Sequence, residues 1–263
     1  MKNPRSPCSR LLKYHFFLGG HDAEMMEIRN ILNEYNLIYI DKSLQWGAKL
    51  SEYETELSHI AQNAIPVLIE LELDINPPAN AIIIDHHNER AGHSTPSSIE
   101  QVCTLIEHNP TRHQQLISAN DKAYIDGMLA INATPSEIDE IRKIDRRCQG
   151  VTAEDERLAE LSILEHQTSF GTDAILVKSL TERTSPILDL LYNKYKHLFI
   201  ITPDNHTHYS GTGEIVQKLV KVFQLKQLQD SELKIWWGGN LPDKGFFGTN
   251  SPLTETEIGQ LLK

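Results

Sequence analysis

The stretch "AIIIDHHNERAGHS", Ala81 to Ser94, sets an apolar run directly against Asp85, His86 and His87. An uninterrupted run of this kind fits a strand buried on both faces, as in the parallel sheet of an α/β protein. A packed core does not tolerate an acid and two imidazoles without partners. The strand must therefore end here, where the three side chains meet either a ligand or water.

Similar runs precede it. Residues 14–18 read as a first strand closed by Gly19-Gly20, residues 23–35 as a helix, and "NLIYI" (36–40) as a second strand. Residues 51–62 have helical periodicity, and "PVLIELEL" (66–73) reads as a third strand. Strands separated by helices predict an α/β fold whose N-terminal domain is a parallel sheet with helices on both faces. Pro96 and Ser97 open a helix, Thr134-Pro135-Ser136-Glu137 opens another, and residues 152–167 are helical as well. "QQLISANDKAYIDGM" continues as helix into a polar break around residues 119–121. The "TSFGT" segment, 168–172, reads as a change of domain, giving 1–168 and a smaller C-terminal α/β domain, 169–263.

The bulk properties narrow the function classes. With 263 residues and 40% hydrophobic content, the chain is long enough for one large domain or two ordinary ones. A net charge of −11 works against broad attraction to nucleic-acid backbones, so long nucleic acid is not the expected partner. An anionic small molecule stays open, because a bound cation inverts the charge of one cleft. No apolar run approaches the roughly 20 residues of a membrane span. The N-terminal "MKNPRSPCSRLLKYHFFLGG" reads as the approach to a first strand rather than a signal peptide, since Lys13, Tyr14 and His15 interrupt its apolar patch. Cys8, Cys103 and Cys148 are too far apart for a zinc motif and odd in number, so a reducing cytoplasm is expected.

Ligands of parallel α/β sheets gather at the carboxyl ends of strands. There the first strand offers His21, Asp22 and Glu24, and the second offers Asp41. The third carries Glu70 and Glu72, which strict alternation would place on one face, and the fourth ends in Asp85, His86 and His87. Carboxylates suit hard cations such as Mn²⁺ or Mg²⁺, and imidazole shifts preference toward Mn, Fe, Co or Zn. The bland alternative for Asp22 and Glu24 is that they are acids at a helix N-terminus, stabilised by its dipole.

"IIIDHH" at the end of a buried strand resembles the signature of the DHH phosphoesterase superfamily. Asp22-Ala23-Glu24 stands where that family's first Asp-x-Asp falls, Glu70 or Glu72 stands near its third-strand Asp, and Asp121 in "SANDKAYI" matches its later helical Asp. The C-terminal half is similar to the family's glycine-motif domain, DHHA1, through "SGTGE" (Ser210, Gly211, Gly213) and "WWGGN" (Gly238, Gly239, Asn240). The resemblance implies a metal-dependent hydrolase of a small nucleotide or other phosphorylated metabolite, using water activated by Mn²⁺, or alternatively Mg²⁺. It implies a metal set of Asp22, Glu24, one of Glu70 and Glu72, Asp85 or His86, and Asp121. Asp85, His86 and His87 would carry the chemistry, His87 facing the substrate. It also implies substrate contacts from His21, His93, Ser210, Gly211, Gly213, Gly238, Gly239 and Asn240, between the domains.

The chain departs from the family pattern in three places. Leu18 stands where the first motif has His, Glu replaces Asp at position 24 and at the third strand, and Asn240 replaces the His after the glycines. These departures keep a second reading open, a relative that binds a nucleotide or metabolite without hydrolysing it. A homodimer is compatible with either.

Overall fold

A computed structural model describes residues 11–45, 47–87, 95–239, 241 and 243–263. Within it the chain divides into two compact units, Met1–Gly150 and Val151–Lys263.

The first unit runs β1 (Tyr14–Leu18), α1 (Ala23–Glu34), β2 (Ile38–Ile40), a 3₁₀ turn at Leu50–Tyr53 leading into α2 (Glu54–His59), β3 (Ile65–Ile69) and β4 (Ile82–Ile84). Three helices follow: α3 (Ser98–Leu105), α4 (Arg112–Ala130) and α5 (Pro135–Cys148). The sheet order is β2-β1-β3-β4, every pair parallel, with Phe16 opposite Tyr39 on one side and Val67 on the other. Alternation along β1 and β3 sorts their side chains into two layers. Phe16, Leu18, Val67 and Ile69 pack with Met25, Ile28, Ile31 and Leu32 of α1 and Ile99 and Val102 of α3. Phe17 and Leu68 point the other way, onto Leu50, Tyr53 and Leu71. The sheet is therefore covered on both faces, which is why its strands read as apolar runs.

The second unit runs α6 (Ala153–Glu165), β5 (Gln167–Phe170), β6 (Ala174–Lys178), α7 (Ser185–Leu190), β7 (His197–Ile201), β8 (Thr207–Thr212), α8 (Gly213–Gln227), β9 (Ile235–Gly238), β10 (Lys244–Thr249) and α9 (Glu255–Leu261). Its strands form one sheet, β5-β6-β7-β8-β10-β9, in which β6 and β7 are parallel and the other pairs antiparallel. One face packs Leu176, Phe199, Tyr209 and Phe247 against Val216, Leu219 and Phe223 of α8. Opposite, Ile175, Val177, Leu198 and Ile200 pack with Ala159 of α6 and Ile187 and Leu191 near α7.

The chain thus has an α/β fold with a parallel N-terminal sheet and a second, mixed sheet. It differs from the sequence reading in places that have physical causes. The two units part after residue 150 rather than 168, because α6 buries Ala159 among the strands of the second unit. The "TSFGT" segment lies inside the second unit: Thr168, Ser169 and Phe170 pair antiparallel with β6 as part of β5. Strands β8 and β10 carry polar and glycine residues that hide the strand pattern. The third strand stops at Ile69, because Glu70 adopts a left-handed backbone with φ of 50°. Among the described residues, no helix is long and apolar enough to cross a membrane.

Candidate metal centre

The strand order places β1 and β3 side by side, while β2 and β4 lie on opposite flanks. The connections therefore diverge from the carboxyl ends of β1 and β3, the position where open α/β sheets bind ligands. Asp22 and Glu24 follow β1, Glu70 follows β3, and Asp85, His86 and His87 follow β4.

Each side chain is aimed by its local structure. Asp22 is the N-cap of α1, its Oδ1 accepting the Met25 N–H at 2.8 Å. That satisfies one orphan donor of the first turn and turns Glu24 inward. Glu24 is 1% exposed, and its Oε1 accepts the Ile99 N–H at 2.9 Å, at the start of α3. A carboxylate at a helix N-terminus is favoured by the dipole, and the contact leaves Oε2 facing the sheet edge. Glu70 is held by its own N–H, which donates to the Ile84 carbonyl at 2.9 Å. The chain turns there because Gly19 has no side chain: a Cβ at that position would lie 2.4 Å from the Glu70 carbonyl oxygen. Asp121 lies in α4, just before Ala123 and Tyr124 break the helical backbone.

These elements converge on one nitrogen. His86 Nε2 lies 2.6 Å from Asp121 Oδ2, 3.4 Å from Glu70 Oε1 and 3.5 Å from Glu24 Oε2. All four atoms are buried, yet none makes a hydrogen bond of acceptable direction. Buried polar atoms are seldom left in this way, and three carboxylate oxygens around one imidazole form a donor set for a cation. Glu70, His86, His87 and Asp121 each offer a ligand atom, all within 4.8 Å of one another. Oxygen with imidazole nitrogen is the chemistry of Mn²⁺ and its neighbours. The residues present therefore fit a divalent metal.

The remaining candidates fall into place around this group or away from it. Asp85 does not turn into it; its Oδ1 accepts from the His87 backbone at 2.9 Å and lies 3.2 Å from His87 Nδ1. Glu72 is exposed, and its backbone bridges to Lys49, so of the two third-strand glutamates it is Glu70 that lies in the group. The left-handed turn at Glu70 breaks the alternation that would put the two on one face. His21 is fixed through its N–H to the Leu44 carbonyl and is not in the group. Ser210 and Gly211 lie in β8 and pair with β10, Gly213 begins α8, and Gly238 ends β9. Gly239 has φ of 113°, and a Cβ there would lie 2.6 Å from Gly245 Cα, so that glycine is required by the fold. His93 and Asn240 lie outside the described residues. Sequence reading missed the Asp85–His87 pairing, for which the two-residue spacing was the available signal.

Charge crowding shows in the titration of the site. Burial pushes Asp22 up to about 7, with the Glu70 charge adding to it. Burial likewise raises Glu24 well above the ordinary carboxylate range, reinforced by Asp121. Burial works against the charged form of Glu70, but His86 and His87 hold it below its usual value. Burial opposes protonation of His86 too, yet Asp121, Glu24 and Glu70 raise it to about 12. Without metal, the imidazolium is thus the resident countercharge.

A pH dependence follows. Asp22 ionises near 7 in the fold against 3.8 ordinarily, so its contribution to stability is complete below about 3.8 and is lost as pH rises through 7. His86 has the same sign over 6.5 to 12. The metal-free protein is expected to lose denaturant resistance between about pH 4 and 7. Asp22→Asn keeps the N-cap acceptor and should flatten this slope; an unchanged slope in urea titrations would assign it elsewhere.

No protein-family model and no curated protein matches the chain. Among solved structures, RecJ from Thermus thermophilus, in complex with Mn²⁺, is 8% identical with a TM-score of 0.44, covering 96% of this chain and 51% of its own. An uncharacterized protein from Helicobacter pylori is 11% identical with a TM-score of 0.30, covering 94% of this chain and 98% of its own. The chain spans about half the length of the RecJ chain. With both TM-scores below 0.5, the chemistry of the centre rests on its own donor set.

Proposed function

We propose that the chain is a metal-dependent phosphoesterase of the DHH type, acting on a small nucleotide or other phosphorylated metabolite. One observation carries the reading: Glu24 Oε2, Glu70 Oε1, Asp121 Oδ2 and His86 Nε2 are buried together without hydrogen-bond partners at the switch point of a parallel sheet. Glu70, His86 and Asp121 would hold Mn²⁺ or Mg²⁺, with Glu24 completing the negative side. A cation bound there would supply Lewis-acid polarisation of a phosphoryl oxygen and a water acidic enough to attack at neutral pH.

The chain's own residues supply the rest. Glu24 is locked by the Ile99 N–H, so its free oxygen keeps one position. His87 is the more exposed imidazole, its side chain 39% accessible against 8% for His86. The Asp85 hydrogen bond is the main cause that raises His87 above the ordinary imidazole value. That pairing favours the protonated imidazole and orients it, as suits a group that donates a proton to a leaving oxygen. The acidic surface, with net charge −11, favours a small substrate that enters with or after the cation over a long polyanion.

A second reading, a binding protein that does not turn its ligand over, draws on the engagement of Asp85 with His87 and the exposure of Glu72. A panel of phosphodiesters and phosphomonoesters with Mn²⁺, Mg²⁺ or Co²⁺ decides between them. Turnover that EDTA abolishes and Mn²⁺ restores is the expected result. Stoichiometric Mn²⁺ without turnover of any member would establish the second reading instead.

A further inference from the structure

Asp121 sits on a helix that is broken immediately after it. Within α4, Ala123 has φ/ψ of −155°/29° and Tyr124 has 56°/−140°, both non-helical. A left-handed backbone is costly for an aromatic residue, and it persists only where the surroundings hold it. α5 supplies contacts on both sides of the break. Arg142, 5% exposed, donates from Nη1 to Asn120 Oδ1 at 2.9 Å and to Asp145 Oδ2 at 2.7 Å. Its Cζ lies 4.2 Å from the centre of the Tyr124 ring. Gln149 donates to the same Asp145 oxygen at 3.1 Å. One guanidinium therefore grips the residue before Asp121 and the residue that forms the break beyond it.

We propose that Arg142 is the positioning residue of the metal centre: by clamping Asn120 and Tyr124 it sets the break in α4 and thereby where the Asp121 carboxylate meets His86. The inference rests on the metal reading given above. A buried ion pair is a poor source of stability compared with apolar packing of the same volume; what a planar guanidinium supplies is geometry, which lysine reproduces only in part. Supporting groups behind metal ligands typically influence affinity by about 10–100-fold. Asp121 makes the shortest contact of the cluster, so a shift of its helix acts on the centre directly.

The test is Mn²⁺ titration of the full chain, followed by the electron paramagnetic resonance signal of free and bound Mn²⁺. The proteins are the wild type, Arg142→Gln, Arg142→Lys and Leu37→Ala, the last a core truncation that controls for lost stability. Arg142→Gln is expected to weaken Mn²⁺ at least about tenfold and to alter the bound-state linewidth. Arg142→Lys should recover part of that loss, and Leu37→Ala should keep wild-type affinity at a lowered melting temperature. Should Arg142→Gln fail to fold, Asn120→Ala severs the grip beside Asp121 while leaving the Arg142–Asp145 pair, and it reads the same loss. A folded Arg142→Gln, or Asn120→Ala in its place, with wild-type affinity and linewidth overturns the inference while leaving the metal reading intact. A wild type that binds no Mn²⁺ overturns both.

Discussion

Replacing His86 by alanine is expected to remove the thermal stabilisation that Mn²⁺ gives the wild-type protein. A ligand that binds only the folded state stabilises it by about 2.7 kcal/mol at a hundredfold excess over its Kd. His86 Nε2 is the atom that all three carboxylate oxygens face, so its loss removes the nitrogen donor at the centre of the group. The metal-free variant should also be less stable, since the substitution leaves Glu24, Glu70 and Asp121 crowded without their imidazolium. Breaking one partner out of a buried charge network costs about 3–5 kcal/mol, lessened here as far as Glu24 takes up a proton. Melting curves in EDTA and in excess Mn²⁺ measure both effects. Glu72→Gln, at an exposed carboxylate outside the group, should retain the full Mn²⁺ shift. Equal shifts in wild type and His86→Ala would rule the centre out.

Gly19→Ala is expected to damage fold and site together. The added methyl would lie 2.4 Å from the Glu70 carbonyl oxygen and 2.6 Å from that of Ile69. Both are backbone atoms, so no rotamer change relieves the contact. β1 and β3 must part, or the left-handed turn at Glu70 must change. Overpacking of this kind costs about 1–3 kcal/mol, read from denaturant midpoints. Mn²⁺ affinity should fall with it, because the Glu70 carboxylate is placed by that turn. A Gly19→Ala protein with wild-type stability and affinity would show that the close approach is not needed.

Much of the centre was legible beforehand because its local signals are strong. The apolar run 81–84 ends at the sheet edge, and Asp22 caps α1 as the helix-acid reading expects, while Glu24 alone of that pair reaches the His86 nitrogen. The two glutamates of the third strand were not separable, since alternation treats them alike and only the left-handed turn at Glu70 divides them. β8 and β10 stayed hidden because polar residues and glycines interrupt their few apolar positions, and their pairing is a property of the sheet rather than of either segment.

The sequence by itself determined the class of fold and the list of groups at the strand ends, because burial on both faces of a parallel sheet demands apolar runs and expels charge to their ends. Only the tertiary structure decided which of those groups meet. Residues as distant as Glu24, Glu70, His86 and Asp121 are brought to within hydrogen-bonding range of one nitrogen by sheet order and helix packing. Asp85 was turned aside to His87 by a two-residue turn. Local pattern records what each residue can be; convergence depends on contacts between segments far apart in the chain, which no local pattern encodes.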